Sequence, residues 1–287
     1  RAGRHSDFVD LRPLAAAHGT RVIEAANVNH PDVLAQLRAV SPDLVLVIGW
    51  SQILREGFFA LTPNLVGYHP ALIPENRGRA VLPWTILQRR RRTGATLFWL
   101  DDGVDSGDVL VQRPLELEPD ETATTLYAKQ LGLLRDLLDE ALPLLRRGDA
   151  PRTPQDEGRA SYCAKRVADD GLINWQASAD DVWTLVRAVT KPYPGAFTFY
   201  RGEKLTIWAA ELVGEAPYWG LPGQVQRLSE AGALIQCGDA RHILVREVET
   251  AAGLRPAQEV LKIHDHLGVS ALELVRHLYA PKGEPHV

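Results

Sequence analysis

The sequence contains no methionine, only two cysteines, no excess of positive charge and no apolar run long enough to span a bilayer. Each absence removes a class of protein. Two cysteines, Cys163 and Cys237, cannot build a disulfide framework or a metal cluster, and they read as reduced thiols of a cytoplasmic protein. A formal net charge of −4 gives no global argument for nucleic acid as a partner. A membrane-spanning helix needs about 20 consecutive apolar residues, and neither that nor a secretory signal pattern is present. The missing methionine, with Arg1 in first position, reads as a chain that has lost its beginning. What remains, 45% hydrophobic and 24% charged over 287 residues, is globular in texture and long enough for two cored domains.

The first part alternates helix and strand patterns. Leu11 to His18 has helical spacing with Gly19 as its stop, and Arg21 to Ala26 reads as a short strand. Asn29 is placed to cap a helix over Pro31–Val40. Leu44 to Ile48 is a continuous apolar run, as in a strand buried on both faces. A helix over Ser51–Ala60, a strand through Val66–Gly67–Tyr68 and a helix over Arg79–Leu87 follow. Thr93–Leu100 and Val109–Leu117 then flank an acidic loop. The longest helix, Asp120–Arg147, carries Leu126, Leu131, Leu134, Leu138, Ala141 and Leu145 on its apolar face, with a kink at Pro143 and an end at Gly148. This pattern predicts an α/β fold with a Rossmann-like, mostly parallel sheet over residues 1–150.

Residues 151–170, rich in Pro, Asp and Arg, read as a linker. Beyond them a helix over Ala179–Thr190 precedes five short strand patterns: Ala196–Tyr200, Leu205–Glu211, Gln224–Leu228, Ala233–Cys237 and His242–Val248. Residues 171–255 are thus expected to form a small β-barrel-like domain, with a helical tail over 256–287 that includes Ser270–Tyr279.

The chain is organised around the stretch from His69 to Asp108. In open parallel sheets ligands bind beyond the carboxyl ends of strands, which puts His69 at a site. A histidine and a carboxylate brought together from strand ends are the raw material of acid–base chemistry. Asp101, Asp102, Asp105 and Asp108 lack metal-ligand spacing, so no metal is expected.

His69-Pro-Ala-Leu-Ile-Pro, Arg77-Gly78, Gly94-Ala95-Thr96 and Asp105-Ser106-Gly107-Asp108, in that order, resemble the signature of the folate-dependent formyltransferases. The resemblance is nearest to the amino-sugar N-formyltransferases and extends to the methionyl-tRNA enzymes. It implies a barrel-like (OB-like) second domain and N10-formyltetrahydrofolate as co-substrate. His69 and Asp105 would be the catalytic pair. Val104, Ser106, Gly107 and Asp108 would face the pterin of the co-substrate, and Arg77, Gly78, Arg79 and Trp84 the acceptor. It also implies that the first strand of the sheet is missing, which would leave exposed strand edges and poor solubility.

One position departs from the family. Its pattern is Asn-any-His, the amide helping to hold the formyl oxygen, whereas this chain has Gly67-Tyr68-His69. Asn76, or a backbone donor, is expected to serve in its place. The expected acceptor is a nucleotide-linked amino sugar, a small-molecule partner, with no membrane involved. Methionyl-tRNA is the alternative, and a degenerate folate or nucleotide-sugar binding protein the reading from another class. From Leu172 to Val287, 11 Lys and Arg stand against 13 Asp and Glu, a poor match for a polyanion.

Overall fold

The computed structural model describes residues 9–50 and 52–269, and the chain divides into two units, Arg1–Arg166 and Val167–Val287. In the first unit α1 (Arg12–Ala17) forms as its spacing predicts, with Pro13 in its first turn. Residues 21–26 form no strand and pair with none of the described strands. Helix α2 (Pro31–Val40) is capped by His30, whose ring accepts from the Asp32 N–H. Asn29 has another role: its amide donates to the Ile53 carbonyl and accepts from the Arg55 N–H.

Strand β1 (Val45–Val47) and the single turn α3 (Glu56–Phe59) lead to β2 (Leu65–His69), which runs parallel to β1. Next come β3 (Arg77–Gly78), α4 (Val81–Leu87), β4 (Arg92–Trp99) and β5 (Val109–Glu116). The sheet order is β1-β2-β4-β5. Only β1 and β2 are parallel, so the sheet is mixed rather than mostly parallel. The short acidic loop accounts for the β4–β5 pair, since a parallel partner needs a crossover of about a dozen residues or more, whereas β4 runs antiparallel to β2 despite the longer connection through α4. The apolar run 44–48 lies at the edge of the described sheet, with Leu46 and Ile48 exposed.

Helix α5 (Ala123–Arg147) opens with a Thr122–Thr125 capping box and closes at Gly148, in left-handed conformation. Its buried face is Ala123, Leu126, Gln130, Leu133, Leu137 and Ala141. Of the predicted stripe, Leu126 and Ala141 are fully buried and Leu134, Leu138 and Leu145 pack against the core part-buried, whereas Leu131 is exposed and the more buried member of each leucine pair is 133 or 137. Gln130 decides the rotation, because its side chain accepts from the Tyr68 hydroxyl and donates to the Gly94 carbonyl.

Residues 151–166, expected as part of a linker, are built into this unit. Val109 and Thr153 exchange both backbone hydrogen bonds, and β6 (Tyr162–Cys163) pairs with β3. The division between units falls after Arg166, inside the segment 151–170.

The second unit contains α6 (Ala179–Val189), capped by Ser178, then β7 (Ala196–Tyr200), β8 (Glu203–Val213), β9 (Val225–Ser229), β10 (Gly232–Gln236), β11 (His242–Thr250), β12 (Gly253–Pro256) and the single turn α7 (Ala257–Val260). All its ladders are antiparallel, in the order β7-β8-β11-β10-β9 with β12 on β11. Among the described residues no ladder joins β7 to β9 to close a barrel. The short β12, ending in proline, escaped the strand pattern. The helix predicted over 270–279 lies outside the described residues. No described helix is long and apolar enough to cross a membrane.

Burial in this sheet has a consequence for stability. His242 is fully buried opposite Gln236, with its ring edge-on to Tyr218, and neither ring nitrogen has a hydrogen-bond partner among the described residues. Burial lowers its pKa, and the nearby Asp239 opposes this only in part. The unfolded chain therefore takes the proton first, and stability falls as the pH drops below about 6.5. Asp239 and Asp265, whose carboxyls are held low, lose their contribution only below about 4. Urea midpoints at pH 7 and pH 5.5 are expected to differ in the parent and to converge in His242→Leu. Equal pH slopes in the two proteins would rule out this origin.

Candidate active site

His69 is the last residue of β2, and its ring is almost fully enclosed, with 4% of the residue exposed. Nε2 lies 2.7 Å from the Asn76 carbonyl oxygen and Nδ1 lies 3.4 Å from Oδ2 of Asp105. A carbonyl can only accept, so Nε2 carries a hydrogen. Both neighbours of the ring are acceptors, and the ring can donate to both only when doubly protonated. It is anchored at Nε2 and held loosely at Nδ1, since a charge-assisted N–H···O bond is about 2.8 Å long.

Asp105 reaches the ring from a loop that is stitched to itself. The Asp101 carboxylate accepts from the Ser106 hydroxyl and the Gly103 N–H, and the Trp99 N–H donates to the Asp108 carbonyl. Gly107 permits the Trp99 carbonyl to approach, because a Cβ there would overlap that oxygen. Asp105 itself has a positive φ of 52°, and its Oδ2 accepts from the Gly78 N–H at 2.8 Å.

The loop after His69 is pinned from two sides. From the sheet, Thr96 donates to the Ala71 carbonyl and Gln112 to the Ile73 carbonyl. From residues 161–163, Ser161 Oγ accepts from the Asn76 N–H, the Ser161 carbonyl from the Arg77 N–H and the Cys163 carbonyl from the Arg79 N–H. Gly78, at φ 101°, lies so near Cys163 that a Cβ would sit 2.6 Å from its carbonyl oxygen. Burial pushes the Cys163 thiol above its usual range, so it stays protonated at neutral pH.

His69, Asp105, Asn76 and Gly78 are therefore brought together. Asn76 takes part through its backbone, however, since its amide nitrogen donates to Gln88 Oε1 at 3.2 Å. That bond commits one of the two amide hydrogens of the expected stand-in donor. Arg77 departs further from expectation: it is 0% exposed, and each of its five N–H groups has a partner. Two donate to Gln155, two to Glu157 and one to the Tyr162 hydroxyl. The Arg77 guanidinium holds the Glu157 carboxyl below its usual range, and Glu157 in turn pushes the arginine's pKa up. No donor is left for a phosphate.

Arg79 is exposed, and Trp84 donates to the Ala164 carbonyl beneath the Arg166 guanidinium. Val104 is exposed on the acidic loop, whereas Ser106 and Asp108 are engaged in its internal bonds. At Gly67 a Cβ would lie 2.7 Å from Leu100 Cδ2 and 2.9 Å from the ring of Phe98, its partner across β2 and β4. Apolar side chains fill that position, with no gap for an ordered water. Gln155 and Ser161 were missed in the sequence because their role depends on pairing across some 50 and 85 residues.

Residues 7–142 match the family described as formyl transferase, and residues 166–262 match the formyl transferase C-terminal domain. The methionyl-tRNA formyltransferase of Geobacter sulfurreducens is 32% identical over 253 residues, which is 88% of this chain and 78% of that protein. Among solved structures, HypX from Aquifex aeolicus in complex with tetrahydrofolic acid matches with a TM-score of 0.66 at 23% identity. That match covers 81% of this chain, which spans only 41% of the HypX chain. The N-formyltransferase from Helicobacter canadensis, in complex with folinic acid and dTDP-3-aminofucose, matches with a TM-score of 0.63 at 18% identity, over 82% of this chain and 81% of that one. At such identities the two structures speak for the fold alone.

Proposed function

The chain belongs to the formyl transferase family, and we propose that it moves a formyl group from N10-formyltetrahydrofolate to the amine of a nucleotide-linked amino sugar. In such a transfer the amine attacks the formyl carbon, an oxyanion forms, and the bond to N10 breaks. One proton must pass from the amine to N10. His69 and Asp105 are the groups of this site suited to carry it. The ring is fixed through Nε2, while its Nδ1 edge faces a carboxylate that is itself oriented by the Gly78 N–H. Asp105 takes the amine proton while the His69 Nδ1–H donates to the leaving N10, and the proton on Asp105 then passes to Nδ1, so that one proton moves from the amine to N10 and both groups return to their starting state. The developing oxyanion relies on backbone donors, with one hydrogen of the Asn76 amide given to Gln88.

The acceptor is argued from charge, and one observation carries it: four arginines of the second unit are each ion-paired with a carboxylate of the same unit. Arg201 pairs with Asp265, Arg241 with Asp180 and Asp239, Arg246 with Glu211 and Arg255 with Glu259. Phosphate contacts dominate nucleic-acid affinity, and a tRNA-binding face needs uncommitted Lys and Arg. A small nucleotide-linked sugar makes no such demand. The second reading, methionyl-tRNA as acceptor, is favoured by the 32% identity to an enzyme of that name.

Mass spectrometry distinguishes the two. Incubated with N10-formyltetrahydrofolate, UDP- and dTDP-linked amino sugars are expected to gain one formyl group while methionyl-tRNA does not. Formylation of methionyl-tRNA with no sugar turnover would establish the second reading. Folate binding without turnover of any acceptor would make the protein a binding module.

A further inference from the structure

The geometry points to Gln155, locked by Arg77, as a positioning residue that keeps Asp105 in register with His69. The inference rests on the reading of His69 and Asp105 as the proton-carrying pair. Gln155 Nε2 donates to the Asp105 carbonyl at 2.9 Å and to the Gly107 carbonyl at 2.6 Å. Gln155 Oε1 accepts from Arg77 Nη2 at 2.8 Å and Nε at 3.2 Å. The orientation of this amide is unambiguous. A guanidinium only donates and a carbonyl only accepts, so oxygen must face Arg77 and nitrogen must face the loop.

These bonds close a ring around the site. The carbonyl of Asn76 holds His69 Nε2, and the N–H of Gly78 holds the Asp105 carboxylate. Between them in sequence is Arg77, whose side chain holds Gln155, which in turn holds the Asp105 backbone. Both members of the pair are thus referred to one residue, and that residue is buried with all its donors matched. Asp105 needs such a hold because its left-handed φ is unfavourable for a side chain with a Cβ. The bonds stitching Asp101 to Ser106 and Gly103 leave the Asp105 carbonyl itself to Gln155.

A displacement of about 1 Å at a reacting group can cost roughly 100-fold in rate. Gln155→Ala is therefore expected to lower kcat by about 10- to 100-fold while KM for the acceptor changes by less than about threefold. Gln155→Met keeps the volume and loses the bonds, and it should behave alike if the alanine variant folds poorly. A merely structural role would also lower activity, so the deciding measurement is a cycle with Asp105→Asn. If Gln155 acts through Asp105, its loss adds nothing further in that background. Additive losses, with Asp105→Asn itself impaired, would overturn the relay and leave the pair intact. Wild-type kcat in Asp105→Asn would overturn the relay and the reading of the pair together.

Discussion

Replacing His69 by alanine should lower kcat/KM for formyl transfer by about 10²–10⁴-fold, the usual worth of a positioned acid–base group. The ring is enclosed, fixed through Nε2 to a carbonyl and set beside a carboxylate, and no other imidazole among the described residues stands near Asp105. Removing it also opens a buried cavity, so His69→Asn is the companion variant. An asparagine amide can still donate to the Asn76 carbonyl but cannot accept and release a proton at neutral pH. Asp105→Asn is expected to fall in the same range, since the amide keeps the bond from Gly78 and loses the charge. All three losses belong in kcat rather than in acceptor KM, because the proton moves only as the bonds change. Urea unfolding separates lost chemistry from lost folding. A folded His69→Asn within about threefold of the parent rate would remove His69 from the mechanism.

The endpoints of this site were legible in the sequence, and the scaffold between them was not. His69 at a strand end and Asp105 in a turn-rich acidic loop were placed by local pattern, and the resemblance to the formyltransferase motifs is what paired them. The role of Arg77 does not. Between two short turns an Arg-Gly-Arg looks like an exposed phosphate contact, and only the return of residues 153–163 buries it. Composition made that returning segment look like a linker, yet its Gln155, Glu157 and Ser161 find partners about 50 to 85 residues earlier in the chain. The stripe on α5 was blurred for a related reason. Adjacent leucines satisfy helical periodicity on either of two faces, and the choice came from Gln130 meeting Tyr68 and Gly94. Residues 21–26 show the limit of strand patterns, since a pattern states a preference and pairing needs a partner in place, whereas the run 44–48 does form β1 but with Leu46 and Ile48 exposed rather than buried on both faces.

The position that departs from the family motif yields the other large effect. Read from sequence, Gly67→Asn should restore an amide donor beside His69. In the structure it should instead destabilise the first unit and give no gain in kcat. The backbone at Gly67 is not in the left-handed region, so an asparagine is conformationally acceptable there and space alone decides. A Cβ would stand 2.7 Å from Leu100 and 2.9 Å from the Phe98 ring, and Phe98 is itself 2% exposed and has nowhere to withdraw. Overpacking of this kind costs about 1–3 kcal/mol. An amide driven among apolar side chains without partners adds about 1–3 kcal/mol more. The expected total, about 2–6 kcal/mol, is a large share of the stability of an ordinary domain and should appear as a clear drop in the apparent Tm. Phe98→Leu should relieve the part of the clash that falls on the Phe98 ring, leaving the contact with Leu100. Alone it loses stability by thinning the core, but combined with Gly67→Asn it should cost less than the sum of the two. If Gly67→Asn alone melts like the parent and turns over faster, the pocket at Gly67 is open to an amide and Phe98 is not what fills it.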